Sequence, residues 1–371
     1  MKKVLFLFGT RPEAIKMAPL IERFSTDSRF EVKVAVTAQH REMLDQVLSF
    51  FEIAVDYDLN VMKPNQTLHQ LTADLISRIT NEILLKEPFD YVFVQGDTTT
   101  VLASALAAFY QKIKVVHIEA GLRSGDMHSP FPEEMNRVLT SRIADFHFCP
   151  TETSKDNLIR ENIHKNVFVV GNTVIDALLT GLQKIDPNSE ANLLARFSDI
   201  DFEKKVIMVT CHRRENFGKP FEEICEALLE IAAARSNEVE IVYPVHLNPN
   251  IKEIAHQKLL APNIKLIAPL DYPELIWMMN KSHIILTDSG GIQEEAPSLG
   301  KPVLVLREVT ERTEGVDAGT AVLVGSDKKK IVSETQKLLD DSMYYQSISK
   351  ASNPYGDGST SKQIIEILAA D

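Results

Sequence analysis

The sequence predicts two doubly wound α/β domains, each built on a parallel sheet. Short β-rich runs alternate with helical stretches in two similar sets, and the length of 371 residues suits two domains. Most of the runs are apolar throughout, as expected of parallel strands that are buried on both faces. Strands are predicted at residues 4–8, 33–37, 91–94, 115–118, 146–149 and 167–170, and again at 206–210, 240–243, 264–267, 284–287, 303–306 and 321–324. We therefore expect ligands at the carboxyl ends of the strands and in a cleft between the domains.

The boundary between the two domains is expected near Gly171 to Asp176, where the last strand of the first set ends. The polar stretch 184–198 is expected to decorate the start of the second domain. Towards the end of the chain, the segment 353–358 (NPYGDG) interrupts the helical pattern.

Composition excludes several classes of partner. The formal net charge of -12 argues against a nucleic-acid or membrane-surface binder, since both need a basic face. Neither a signal-peptide core nor an apolar run of membrane-spanning length is present in the sequence. The three cysteines, Cys149, Cys211 and Cys225, form no C-x-x-C pair, so neither a disulfide framework nor a zinc knuckle is expected. A reducing cytoplasm fits these features.

The beginning of the chain predicts an anion-binding turn. The first strand run ends at Gly9, and a helix opens at Arg11 with Lys16 in its second turn. A helix N-terminus presents backbone N–H groups and the positive end of its dipole, and the two cations add charge beside it. The G-x-G-x-x-G spacing of a dinucleotide site is absent, so the turn favours a sugar nucleotide over NAD.

A basic cluster follows the predicted strand 206–210. One imidazole and two guanidiniums, those of His212, Arg213 and Arg214, can bind and neutralise a phosphate. The alternative is an exposed cluster in which the arginines pair with Glu215. The local pattern alone favours neither interpretation.

A third strand-end segment, TDSGGIQEE, begins at Thr287 and opens a helix. Ser289 is a suitable N-cap, and Gly290 and Gly291 allow a phosphate to approach the backbone. One turn later, Glu295 can accept hydrogen bonds from ribose hydroxyls. A plain glycine-containing cap is the alternative, but the order of strand, Ser-Gly-Gly and acidic helix favours a nucleotide site.

Carboxylates at strand ends are candidates for proton transfer. Asp97 and Glu119 each follow a buried-type strand, where partial burial can raise a carboxyl pKa into a useful range. Glu133 and Glu134 add acids at a proline-marked helix start, although acids are favoured there by the helix dipole alone. For Asp97 the alternative is an ordinary helix cap.

Several isolated residues carry less information by themselves. His246 and Arg312 lie in loops that can reach the cleft, and His40 and Arg41 are similar cases, yet single residues of these types are more often structural. The histidines and acids show no H-E-x-x-H or comparable spacing, so no catalytic metal site is expected.

Ten segments carry a resemblance that spans nearly the whole chain: GTRPEAIKMAPL, TAQHREMLDQV, GDTTT, HIEAGLRSGD, SPFPEEMNR, GNTVIDALL, HRREN, YPVHLNPN, LTDSGGIQEEAPSLGKPVL and NPYGDG. Taken in this order, they resemble the non-hydrolysing bacterial UDP-N-acetylglucosamine (UDP-GlcNAc) 2-epimerases. The resemblance implies the GT-B fold, with two Rossmann-like domains facing a cleft, and a homodimer. Because the C-terminal helix then crosses back, residues 1–171 plus 355–371 form the expected acid/base domain and 172–354 the expected UDP-binding domain.

The resemblance also implies a reaction and a set of site residues. The family interconverts UDP-GlcNAc and UDP-N-acetylmannosamine (UDP-ManNAc) without NAD or a metal, by eliminating UDP to 2-acetamidoglucal and adding it back. The implied catalytic residues are Lys16, Asp97, Glu119, Glu133 and His212. The implied UDP-binding residues are Arg11, His212, Ser289, Gly290, Gly291, Glu295 and Arg312. We expect the three acids to share proton transfer, and Lys16 and His212 to stabilise the departing UDP.

Many bacterial members are also activated by UDP-GlcNAc in a second pocket. The residues expected to line that pocket here are Gln39, Glu42, Glu133, Arg213 and His246. Two of the expected effector positions depart from the family pattern, because Glu42 replaces a Gln and Asn65 an Arg. Thr313 and Gly315 replace the usual Pro and Ala beside Arg312, which we expect to loosen that loop.

Three other functions share parts of this pattern. A GT-B glycosyltransferase uses a similar nucleotide site but transfers its sugar to an acceptor, and three acids around one sugar disfavour it. A hydrolysing epimerase differs by letting water reach the glycal and releasing free N-acetylmannosamine. A nucleotide-sugar sensor binds without turnover, which the number of candidate acid/base groups disfavours.

Overall fold

The computed structural model describes residues 1–37, 41–63 and 65–371, which divide into two compact units. The first unit comprises Met1–Ala177 and Tyr355–Asp371, and the second comprises Leu178–Pro354. Each unit is built on its own sheet of parallel strands.

The first unit holds a seven-stranded sheet in the order β3-β2-β1-β4-β5-β6-β7. Its strands are β1 (Lys2–Phe8), β2 (Phe30–Val36), β3 (Tyr57–Asp58), β4 (Tyr91–Gln95), β5 (Lys114–Ile118), β6 (Phe146–Cys149) and β7 (Val167–Val169). Its helices are α1 (Arg11–Ser25), α2 (Arg41–Phe50), α3 (Leu68–Ile79) with a π-helical turn at Thr80–Leu84, α4 (Thr99–Tyr110), α5 (Glu133–Ile143), α6 (Glu152–Arg160) and α7 (Thr173–Lys184), which ends in the second unit. The order reverses between β1 and β4, so the loops after these two strands flank the switch point of the sheet.

The second unit holds a six-stranded sheet in the order β10-β9-β8-β11-β12-β13. Its strands are β8 (Lys205–Thr210), β9 (Val239–Pro244), β10 (Ile264–Ile267), β11 (Ile284–Thr287), β12 (Val303–Val305) and β13 (Ala321–Leu323). Its helices are α8 (Pro187–Arg196), α9 (Lys219–Ala234), α10 (Pro249–Lys258), α11 (Tyr272–Lys281), α12 (Gly290–Glu295), α13 (Thr313–Asp317), α14 (Lys328–Asp340) and α15 (Ser342–Ser349), with 3₁₀ turns at Arg214–Asn216 and Ala296–Leu299. Here the switch point lies between β8 and β11.

Burial explains why the strands could be recognised as apolar runs. The five residues from Val4 to Phe8 in β1 are fully buried, and all four residues of β11 are buried as well. Strands covered on both faces have no reason to alternate polar and apolar side chains. The prediction of two parallel doubly wound sheets is confirmed, but the first sheet has seven strands rather than six, because the two-residue edge strand β3 is too short to show a pattern.

The chain leaves the first unit after Ala177, six residues beyond Gly171. Contacts with the C-terminal segment explain this difference, since the Asn172 backbone N–H donates to the Tyr355 carbonyl at 2.7 Å. The Asp176 carboxylate likewise accepts from Ser361 N at 2.8 Å. The last helix, α16 (Thr360–Ala370), belongs to the first unit and contacts α1.

Among the described residues, none of the helices combines the length and the apolar content that crossing a membrane requires.

Candidate active site

Topology places the sequence motifs at the two switch points. In the first unit, Thr10 follows β1 and Asp97 follows β4. In the second unit, His212 follows β8 and Ser289 follows β11. These are the positions at which open parallel sheets bind ligands, so each unit presents a candidate half-site.

The turn after β1 is closed by its own glutamate. Thr10 is the N-cap of α1, and Glu13 completes a capping box. The Glu13 Oε2 atom accepts hydrogen bonds from Gly9 N and Thr10 N, both at 2.7 Å, and Oε1 accepts from Thr98 Oγ1 at 2.6 Å. A buried carboxylate therefore occupies the backbone N–H groups of Gly9 and Thr10, and the anion site expected at this turn stays a prediction. Arg11, half-exposed in the first turn, remains a candidate ligand for an anion.

Glu119 is held by donors from three directions. Lys16 Nζ lies 2.5 Å from Glu119 Oε1, and the Asn172 side-chain amide donates to the same oxygen at 2.9 Å. The Gln95 side-chain amide donates to Oε2. Glu119 adopts a left-handed backbone conformation (φ 62°), an unusual one for a side chain of this size, which its three donors help to fix. The structure thus brings together the predicted Lys16 and Glu119, and adds Gln95 and Asn172.

The two additional donors carry a signal in the sequence that is easy to miss. Gln95 is the last residue of β4 and Asn172 directly precedes α7. Each is therefore a polar residue at the end of an apolar run, which is the same signal that identified Asp97 and Glu119. Gln and Asn side chains do not act as general acids or bases, so the sequence alone does not distinguish Gln95 and Asn172 from ordinary helix-capping residues.

Asp97 lies beside a different cation. Both Arg137 Nε and Arg137 Nη2 are 2.8 Å from Asp97 Oδ2. Burial raises the pKa of Asp97, and the nearby Glu119 carboxylate acts in the same direction, while Arg137 and Lys16 oppose the shift. The interpretation of Asp97 as a plain helix cap is wrong, since Thr98 is the N-cap of α4 and its side chain accepts from Val101 N.

The two acids that begin α5 have different environments. Glu133 is half-exposed, whereas Glu134 is 2% exposed and accepts hydrogen bonds from Gly125 N and Arg137 Nη1, both at 3.1 Å. Glu134 is therefore connected to Asp97 through Arg137. The sequence did not show which of Glu133 and Glu134 is buried, because that depends on how α5 packs in the folded chain.

Asp288 organises the basic loop in the second unit. It is fully buried, and its Oδ2 accepts from His212 N and Arg213 N at 2.8 Å and from the Asn216 side-chain amide at 3.0 Å. Its Oδ1 lies 3.4 Å from His212 Nδ1. Burial lowers the pKa of His212, and the Asp288 charge opposes that shift. The sequence displays Asp288 inside the TDSGG segment, but only its contacts with the loop after β8 show its role.

The alternative for this loop, in which the arginines pair with Glu215, is wrong. The Glu215 carboxylate instead accepts from Arg307 Nε at 2.6 Å. Arg213 and Arg214 are exposed, and the His212 and His246 rings stack with centroids 5.4 Å apart. The loop therefore presents exposed basic groups, those of His212, Arg213 and Arg214.

The Ser-Gly-Gly segment lies beside Arg312. Ser289 is the N-cap of α12 as predicted, although within the described chain its side chain makes no capping hydrogen bond. A Cβ atom added to Gly290 would lie 3.8 Å from the Arg312 guanidinium, and one added to Gly291 would lie 3.7 Å from Glu295 Oε2. The Arg312 guanidinium also donates to Glu294 through Nε. Four predicted UDP-binding residues, Gly290, Gly291, Glu295 and Arg312, are thus neighbours.

The expected effector residues do not form one cluster within a unit. Glu42 is exposed at the start of α2, and Glu133 lies on α5, both in the first unit. Arg213 and His246 are exposed in the second unit. Gln39 lies outside the described residues, so the second pocket stays a prediction.

Comparison with known proteins decides between the candidate families. The model of the family described as UDP-N-acetylglucosamine 2-epimerase matches residues 22–369. This chain belongs to that family. The UDP-N-acetylglucosamine 2-epimerase of Salmonella typhimurium is 55% identical over 370 residues, covering 99% of this chain and 98% of that protein.

Solved structures of the family agree with the fold. The UDP-GlcNAc 2-epimerase from Neisseria meningitidis bound to UDP-GlcNAc is 51% identical, with a TM-score of 0.90 and full coverage of both chains. The Methanocaldococcus jannaschii UDP-GlcNAc 2-epimerase in complex with UDP-GlcNAc and UDP is 36% identical, with a TM-score of 0.79 and full coverage of both chains. The predicted family, fold class and enzyme class, a UDP-GlcNAc 2-epimerase, are confirmed. This similarity favours an epimerase over a glycosyltransferase or a sensor.

Proposed function

We propose that this chain catalyses the reversible conversion of UDP-GlcNAc to UDP-ManNAc by elimination and re-addition of UDP. A carboxylate takes the C2 proton, and the C2–H electron pair forms the C1–C2 double bond while the C1–O bond breaks. UDP leaves with the C1–O electron pair, and 2-acetamidoglucal remains. A proton then adds to C2 on the opposite face, and UDP adds back to C1. The UDP-GlcNAc bound to the Neisseria meningitidis relative supports this choice of substrate.

One observation carries the proposal: Asp97 and Glu119 follow the neighbouring strands β4 and β5, and each is paired with a cation. Epimerisation through a glycal needs proton donors and acceptors on both faces of C2, and two carboxyl groups in different environments supply them. The proposed proton-transfer residues are Asp97, Glu119 and Glu133. Lys16 adds positive charge beside this group.

The second unit supplies the proposed nucleotide-binding groups. A diphosphate suits the Arg312 guanidinium, the His212 imidazole and the backbone of Ser289, Gly290 and Gly291, and Glu295 suits the ribose hydroxyls. Arg11 of the first unit completes the proposed set. His212 is proposed to stabilise the negative charge that develops on departing UDP.

The proposal requires neither NAD nor a metal. Elimination and re-addition leave the oxidation states of the reactants unchanged, and positively charged side chains stabilise the leaving diphosphate. We further propose a cytoplasmic homodimer that supplies N-acetylmannosamine units for a cell-surface polysaccharide. Regulation by UDP-GlcNAc at a second pocket is part of the proposal as well.

Incubation of the protein with UDP-GlcNAc in D₂O, without NAD or metal, tests the reaction. Proton NMR is expected to show UDP-ManNAc that carries deuterium at C2, because the proton returned to C2 comes from solvent through a carboxyl group. Product that keeps the original C2 proton would contradict exchange with solvent. Free N-acetylmannosamine plus UDP would identify a hydrolysing enzyme, and unchanged substrate would contradict the proposal.

Replacing Asp288 by Ala is expected to weaken UDP binding about tenfold to a hundredfold, because three donors lose a buried acceptor worth roughly 1–3 kcal/mol and the loop after β8 loses its anchor. Isothermal titration calorimetry with UDP measures the loss. Asp327→Ala is the matched control, since it removes an exposed N-cap carboxylate of α14 at a cost of about 1 kcal/mol in stability. The control is expected to bind UDP normally. Normal binding by Asp288→Ala would contradict the assigned role.

A further inference from the structure

Arg137 reaches Asp97 from α5, and the neighbouring residue on that helix holds the backbone of Asp97. The Arg137 side chain is 13% exposed, and its Nε and Nη2 atoms both lie 2.8 Å from Asp97 Oδ2. The Asn136 side-chain amide donates to the Asp97 carbonyl at 2.8 Å. One helix therefore fixes both the backbone and the side chain of this acid.

The guanidinium is itself anchored on its far side. Arg137 Nη1 donates to Glu134 Oε2 at 3.1 Å, and Glu134 Oε1 accepts from Gly125 N at 3.1 Å. Glu134 is 2% exposed, so it has little freedom to move away. A planar guanidinium with donors directed at two carboxylates has a fixed orientation, which a lysine ammonium in the same place would lack.

The contacts on Asp97 are one-sided. Among the described residues, both Arg137 contacts fall on Oδ2, and no side-chain hydrogen bond reaches Oδ1. We propose that Arg137 is a positioning residue, which binds Oδ2 of Asp97 and so makes Oδ1 the oxygen that exchanges a proton with the substrate. This inference rests on the proposed function, because it specifies how one of its acids works.

The charges around Asp97 make the effect of Arg137 measurable as a change in the pKa of Asp97. Burial and Glu119 raise the pKa of Asp97, and Arg137 and Lys16 lower it. His117 Nε2 donates to the Gly96 carbonyl at 2.8 Å, and burial lowers the pKa of His117 to about 4, so it adds no positive charge at neutral pH. Removal of the guanidinium takes away one of the two positive charges that lower the pKa of Asp97 and leaves that of Lys16, so the carboxyl group then holds its proton more tightly.

Comparison of the wild-type protein with its Arg137→Met and Arg137→Lys variants tests the inference. The Met variant is expected to lose about a hundredfold in kcat, the low end of the effect of a proton-transfer group, with little change in KM. The limb of its pH profile that reports Asp97 is expected to move to higher pH by about 1–3 units, the usual influence of a neighbouring opposite charge. The Lys variant keeps the charge, so its pH profile is expected to stay within about half a pH unit of wild type. Its kcat is expected to fall, because a single ammonium orients the carboxylate less well than a guanidinium does.

A matched control separates positioning from folding. Arg123→Lys alters another partly buried arginine of the first unit, one that pairs with Glu161 rather than with Asp97. It is expected to lower thermal stability without moving the pH profile. A wild-type pH profile and kcat in Arg137→Met, or an activity loss that follows thermal stability in all three variants, would overturn the inference.

Titration of the Asp97 carboxyl group tests the inference without relying on enzyme activity. Carbon-13 NMR of protein labelled at aspartate carboxyl carbons, with the Asp97 signal assigned from Asp97→Asn, is expected to show the pKa of Asp97 rising in Arg137→Met and holding in Arg137→Lys. An unchanged Asp97 titration overturns the inference even if the enzyme is active. Absence of wild-type epimerisation, in contrast, overturns the proposed function and leaves the titration to decide the contact between Arg137 and Asp97.

Discussion

Asp97→Asn is expected to lower kcat about 10²–10⁴-fold, the range typical of a lost proton-transfer group. The amide has nearly the same shape as the carboxyl group, and its oxygen can still accept from Arg137, so the local structure is expected to survive. Exchange of the C2 proton with D₂O is expected to fall in parallel with kcat, because both depend on the same carboxyl group. Initial rates of UDP-GlcNAc conversion and deuterium incorporation at C2 measure the two effects.

Two comparisons make this prediction specific. Asp126→Asn is the matched control and is expected to leave kcat unchanged. Asp126 is exposed, and its side chain accepts a local hydrogen bond from His128 N. Glu119→Gln is expected to lose activity by a similar factor to Asp97→Asn, because it disturbs the second carboxyl group. An Asp97→Asn enzyme that keeps more than about a tenth of wild-type kcat would contradict the assignment of Asp97 to proton transfer.

The strand-end loops could be predicted from sequence because burial on both faces leaves a plain apolar signal. Where the apolar run stops, the carboxyl edge of the sheet begins, and Asp97, Glu119, His212 and Ser289 all lie there. The pattern thus located the candidate half-sites without information on side-chain contacts. The edge strand β3, with two residues, offered no comparable signal.

Side-chain partners could not be predicted in the same way. Arg137 is 40 residues from Asp97 in the chain, and Asp288 is 76 residues from His212, so only the folded sheet order brings each pair together. The turn after β1 shows the same limit, because the local sequence does not reveal that the Glu13 carboxylate accepts from the backbone N–H groups of Gly9 and Thr10. Local motifs therefore specify where a site lies more reliably than which atoms remain available in it.

Gly121→Ala is expected to be the most damaging small substitution near the candidate site. Gly121 has a left-handed conformation (φ 89°), and an added Cβ would lie 2.1 Å from the Ser154 carbonyl oxygen and 2.7 Å from its carbon. The backbone strain costs roughly 1–2 kcal/mol and the forced shift of α6 roughly 1–3 kcal/mol more. Loss of about 2–5 kcal/mol is a large part of the stability of a typical domain, so we expect low soluble yield and a lower urea midpoint.

Gly319→Ala separates the two causes. Gly319 also has a positive φ (75°), but no described atom lies within 4 Å of the Cβ that alanine would add. It therefore retains the backbone cost of roughly 1–2 kcal/mol without the collision. Urea unfolding of both variants is expected to place Gly319→Ala between wild type and Gly121→Ala. Equal midpoints for the two variants would show that backbone conformation alone sets the cost, and that the α6 backbone moves away from Gly121 without resistance. In that case the turn that holds Glu119 two residues earlier would be more adaptable than its contacts with α6 imply, and kcat of Gly121→Ala would stay near wild type.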